Sequence, residues 1–146
     1  MAVTAMIKEY ENRQAVFDAV VAGMKKQKKV SSCFYLNPDG TMCAIGMLLG
    51  KAFVKKHIGN SDVNYEGVGS LMNHLKSLKK SGGIETIPKW LSKQQLRFLD
   101  DLQDANDSAS SMLHWYTMMS EFAVNYKLKR DKLDKVDWGS FDAASR

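Results

Sequence analysis

The stretch NPDGTMCAIGMLLG, residues 37–50, decides how the chain is read. NPDG carries Pro at the second position of a type I turn and Gly at its end. It separates the β-branched and aromatic run VSSCFYL (30–36) from a short return segment, residues 41–43. This pattern predicts a small β-hairpin over residues 30–43, with Gly40 in the positive-φ position of the loop, Tyr35 facing Cys43, and Cys33 diagonal to it. Directly afterwards, Ile45, Leu48, Leu49 and Phe53 share one helical face, so a helix begins at or just after Cys43 and ends near His57. Cys43 then stands at the joint between hairpin and helix. It is either a helix-terminal thiolate poised for chemistry or a small apolar residue in a tight place.

Working outward, Val16, Val20 and Met24 fall on one helical row and Phe17 and Val21 on the next, which predicts an opening amphipathic helix over about residues 9–24, capped by Asn12 or Thr4. Gly46 and Gly50 lie four apart on the Cys43 helix and would let the final helix approach closely. The polar loop GNSDVNYEGVGS (59–70) is long for a connector. A helix through Val68, Leu71, Met72, Leu75 and Leu78 stops at SGG. Ser92 and Gln95 have capping-box spacing ahead of Leu96, Leu99 and Leu102. In LDDLQDANDS (99–108), Asp107 or Ser108 is expected to cap a last helix carrying Met112, Trp115, Tyr116, Met119, Phe122, Ala123 and Tyr126. The fold expectation is therefore mainly α with a small β-hairpin (α+β): a single compact domain of about five helices over residues 1–126, then a charged, partly mobile tail at 127–146 whose Trp138 and Phe141 dock on the core or on a partner.

The 146 residues are 45% hydrophobic and 25% charged, ordinary values for one soluble domain. No stretch approaches the roughly 18 apolar residues of a membrane span, and the N-terminus does not read as a secretory signal, so the expected setting is the cytosol with free thiols. The net charge of +5 is patchy: residues 1–30 and 51–80 hold six Lys or Arg each, whereas 81–107 hold three basic and five acidic residues. Lys25, Lys26, Lys28 and Lys29, with Lys55, Lys56, Lys79 and Lys80, could follow a phosphate backbone or an acidic protein surface. Arginine is scarce and no basic run is interleaved with aromatics, so any nucleic-acid binding is expected to be weak.

A cysteine-dependent hydrolase or transferase would need a histidine beside Cys43. The chain offers His57, His74 and His114, and the best enzymatic constellation is Cys43, His114 and Asp107. Two cysteines ten apart and three scattered histidines match no zinc spacing, and no phosphate-binding, dinucleotide or serine-hydrolase motif is present. Neither a metal nor a cofactor is expected.

VFDAVVAGMKK, GTMCAIGMLL, IPKWL and LQDANDS, in that order before a final helix, resemble an uncharacterised family of small bacterial and bacteriophage proteins with a Gly-x-x-Cys-x-x-Gly-x-Leu element and a later Asn-Asp step. Gly40, Cys43, Gly46, Leu48, Asn106 and Asp107 occupy the pattern positions. Ala44 stands where many members carry a second cysteine, which argues against a shared metal site. The resemblance implies a phage or mobile-element origin rather than an activity. The function expected is a non-enzymatic interaction protein in the host cytosol that binds and modulates or inhibits a host protein, for example defence or transcription machinery. Its contact residues would be Lys25, Lys26, Lys28, Lys29, Asn64, Tyr65, Trp138 and Phe141. The alternatives are the Cys43 enzyme and a nucleic-acid binder using the basic patches; the oligomeric state is left open.

Overall fold

A computed structural model describes residues 8–31, 35–58 and 67–144. Among them there is no strand: the chain is helical, and the expected β-hairpin is not formed. Cys33, and with it part of the expected first strand, lies outside the described residues, as do Asn64 and Tyr65. The NPDG turn itself is there. Gly40 has φ +89°, the Asn37 N–H donates to the Thr41 carbonyl at 2.8 Å, and the Asp39 carboxylate accepts from the Thr41 N–H and hydroxyl.

What replaces the strand pairing is a side chain. α1 (Arg13–Gln27) is capped by Asn12, whose side chain accepts from the Ala15 N–H, and buries Val16, Phe17, Val20, Val21 and Met24. At its end the Gln27 amide faces residue 42. The Met42 N–H donates to Gln27 Oε1 at 2.7 Å, and Gln27 Nε2 donates to the Met42 carbonyl at 3.3 Å and to the Lys29 carbonyl at 2.9 Å. Ser31 Oγ also donates to the Met42 carbonyl. Backbone groups of the return segment that a ladder would have satisfied are thus bonded by side chains, which removes the need for a strand partner.

α2 (Ala44–Leu49) is buried on every side, as its unbroken apolar sequence requires. The expected single helix to His57 is interrupted because Gly50 takes φ +91°, outside the right-handed region. A short α3 (Lys51–Phe53) and a π-turn (Val54–Ile58) follow. α2 packs mainly against α1 and α5 (Leu96–Asp107) rather than the final helix. Gly46 instead admits the chain that crosses α2: a Cβ there would sit 2.0 Å from the Tyr35 carbonyl oxygen.

α4 (Gly67–Lys80) packs its Val68, Leu71, Met72 and Leu75 face on α5, and Asp100 of α5 accepts the Val68 N–H at its start. α5 and α6 (Met112–Asn125) form the most extensive helix pair. Asp107 and Ser108 close α5 and do not cap α6. That role belongs to Ser111, which accepts from the His114 N–H. Ser92 makes no side-chain capping bond; a 3-10 turn over Lys93–Gln95 leads into α5 instead.

The segment after Tyr126 returns to the core through α7 (Asp131–Asp134) and α8 (Gly139–Ala144). Gln14 repeats the device of Gln27: the Lys129 N–H donates to Gln14 Oε1 at 2.8 Å and Gln14 Nε2 donates to the Lys129 carbonyl at 3.0 Å. Trp138 is buried against Trp115, ring centroids 4.9 Å apart, and its indole N–H bonds the Leu133 carbonyl. Asp142 accepts the N–H groups of Met112 and Leu113, a second cap on α6 brought from far along the chain.

The two helical glycines 46 and 69 make opposite predictions. Gly46→Ala drives a methyl into backbone that has no free rotation and should cost more than about 2 kcal/mol. Gly69 has open space around it in α4, so Gly69→Ala should be neutral or stabilising by up to about 1 kcal/mol. Urea unfolding of both variants measures the pair.

Candidate functional site

Cys43 is the N-cap of α2, its Sγ accepting from the Gly46 N–H at 3.5 Å, and it is completely buried. Burial pushes its thiol up to about 12; the Gly46 N–H and the Gln103 side chain oppose that shift only in part. A buried thiol held protonated is a poor nucleophile near neutral pH. The other members of the expected constellation are engaged elsewhere. His114 Nδ1 accepts from the Ser110 N–H at 3.1 Å. Asp107 lies beside Asn106 and Gln103, its carboxyl raised by partial burial. Gln103 in turn accepts the Ile45 N–H. His57 rests on the Phe53 ring at 4.9 Å, and burial holds its imidazole below the ordinary range; His74 Nε2 meets the His57 carbonyl at 2.9 Å. No hydrogen bond joins a histidine to Cys43 among the described residues, and no cluster of His, Cys, Asp or Glu there could hold a metal ion.

Asn106, the first residue of the Asn-Asp step, is buried and accepts the Trp115 indole N–H at 2.9 Å. Its work is to seat Trp115, against which Trp138 packs at a tilt. Trp138 is therefore core, while Phe141 is half-buried edge-on against it.

The feature with binding geometry is a groove of about 800 Å³ between the end of α1, the NPDG turn and α2. Its apolar lining includes Ala19, Ala22 and Gly23 of α1 and Met47 of α2. A Cβ at Gly23 would stand only 2.8 Å from Met47 Sδ, so the glycine gives the buried Met47 side chain room to lie against α1. One wall is Thr41, Met42 and the Gln27 amide that holds them. Around the rim stand Lys8, Lys26, Lys29 and Lys51, with Asp39 the one acid among the lining residues. Lys8 runs across Gly50, and the Lys51 ammonium hangs close to Gly40. Lys29 pairs with Asp39 at 3.0 Å, an exposed contact. Hydrogen bonds from Thr41, then the bond and charge of Lys29, hold the Asp39 carboxyl well below the usual range, so it is ionised at neutral pH.

Of the four lysines expected at a contact surface, Lys26 and Lys29 line this groove; Lys25 and Lys28 are exposed beside it. Lys8, Lys51 and Asp39 were not singled out from the sequence as a site. They come from segments far apart in the chain, and only the fold gathers them. No helix among the described residues is long and apolar enough to cross a membrane. Compared with protein-family models, curated proteins and solved structures, the chain matches none of them.

In a Cys33→Ser background, Cys43 should resist a thiol reagent at neutral pH and react only on unfolding, while Cys43→Ser lowers stability by about 1–3 kcal/mol through a buried hydroxyl in place of the thiol. Rapid stoichiometric labelling of the folded chain would contradict the assignment of Cys43 to the core.

Proposed function

We propose that the chain is a non-enzymatic interaction protein and that its groove is the contact site for a protein partner. The observation that carries the reading is the combination at that groove: an apolar lining with four lysines gathered around it from three separate parts of the chain. Apolar area supplies affinity, and rim charge supplies orientation and a faster encounter. The alternative reading as a cysteine hydrolase has the buried, protonated thiol of Cys43 against it.

The nucleic-acid reading draws on the same lysines. Lysine stems without interleaved exposed aromatics give salt-sensitive, sequence-independent attraction. Tyr10, the aromatic beside the groove, has its hydroxyl tied to the Leu48 carbonyl and its ring set edge-on to Trp90. The resemblance to small phage proteins adds the class of partner: a bacterial host protein in the cytosol, whose activity the chain modulates or inhibits by occupying its surface.

The test is affinity capture from bacterial lysate with the wild-type chain and with Cys43→Ala, after nuclease treatment, followed by direct binding to the purified captured protein. Both chains are expected to retain the same protein. Capture that disappears with nuclease, or that requires the thiol and forms a covalent adduct, overturns the reading.

A further inference from the structure

The chemistry of the groove says more than that a protein binds there. Its charge is asymmetric: four lysines against Asp39, with Lys29 already matched to that aspartate. Lys8, Lys26 and Lys51 have no ion-pair partner among the described residues. Apart from the lysines and Asp39 the lining carries no charged group, and Ala19, Ala22, Gly23 and Met47 are its apolar part on α1 and α2. Methionine is the side chain best able to remould itself around an incoming apolar group.

A free phosphate or other small anion would make no use of the apolar lining formed by Ala19, Ala22, Gly23 and Met47. A nucleic-acid backbone would meet the ionised Asp39 carboxylate on the rim, and no exposed ring on which to stack a base. Both features suit an extended peptide in which carboxylates flank an apolar side chain. The carboxylates reach Lys26 and Lys51 while the apolar group lies on Met47 and Gly23.

We infer that the groove takes an acidic peptide segment of the partner with an apolar anchor, and that Asp39 restrains its affinity by competing for Lys29. The inference rests on the reading of the chain as an interaction protein. Asp39→Asn isolates the second half of it. An asparagine side-chain oxygen still accepts from the Thr41 N–H and hydroxyl, so the turn is kept, while the ion pair to Lys29 is removed.

The experiment titrates the full chain, ¹³C-labelled at its methionine methyls, with three probes: a short peptide of aspartates flanking leucines, the same peptide with serines for leucines, and a thymidine oligonucleotide of equal charge. The leucine peptide should shift the Met47 methyl and the Gly23 and Gly40 amides. It should bind roughly tenfold more tightly than the serine peptide, as expected when an apolar anchor is buried. Lys26→Glu with Lys51→Glu should weaken it roughly tenfold, and Asp39→Asn should tighten it about two- to five-fold, in line with exposed charge pairs. Melting curves of the variants verify that they fold.

An unmoved Met47 methyl, equal affinity for the two peptides, no gain in Asp39→Asn, or tighter binding of the oligonucleotide each overturns the inference. If the captured host protein still binds the double charge-reversal variant as tightly as wild type, the groove is overturned while the interaction reading stands. If no host protein is captured at all, that reading itself has failed.

Discussion

Two glutamines on α1 do for this chain what strand pairing does elsewhere. Gln27 bonds both backbone groups of Met42, and Gln14 bonds both backbone groups of Lys129. A primary amide presents one donor and one acceptor at the spacing of a peptide unit, so it can close on a chain segment as a strand neighbour would. Each such bond contributes about 0.5–1.5 kcal/mol net, and about 1–3 kcal/mol is lost where a backbone group is buried without a partner. The consequences differ at the two ends of α1. Gln14 brings the C-terminal segment back, so that Leu133 and Trp138 complete the core. Gln27 holds the NPDG turn against the helix end and thereby forms one wall of the lysine-rimmed groove.

The joint at Cys43 is the second constraint. The chain passes over α2 so closely that Tyr35 lays its carbonyl on Gly46, and a residue at 43 must be small, apolar enough to be sealed in, and able to accept the Gly46 N–H. Cysteine meets all three requirements, and the burial that makes it useful there suppresses its thiolate. Thus the position that looks most chemical in the sequence is structural. From α2 the packing runs through Gln103 and Asn106 of α5 to Trp115 and Trp138, a line of side-chain hydrogen bonds and ring contact that links the cysteine helix to the segment around Trp138.

Much of this was legible in the sequence. The helical period of Val16, Val20 and Met24, the Asn12 cap, the NPDG turn with Gly40 at positive φ, and two of the four rim lysines could be read from local chemistry. The hairpin could not be excluded, because VSSCFYL has genuine strand propensity and the competing partner, the Gln27 side chain, has no sequence signal that marks it as a backbone clamp. Gly50 was read as a close-packing residue inside a helix; whether a glycine packs or breaks depends on a φ that composition does not encode. NDSASS offers several capping side chains in succession, and tertiary packing selects Ser111 with help from Asp142, thirty residues away. Lys8, Lys51 and Asp39 meet only through contacts between distant segments, so the groove was invisible until the fold was in hand.

The account depends most directly on Gln27 standing in for a strand. Amide hydrogen exchange at Met42 reads this without reference to any ligand. Met42 belongs to no helix or strand, so its N–H is slow to exchange only if Gln27 Oε1 holds it. The account predicts protection at Met42 in the wild-type chain that collapses in Gln27→Ala while the α5 and α6 amides stay protected. Free exchange at Met42 in the wild type, or protection that survives the loss of the Gln27 amide, would contradict it.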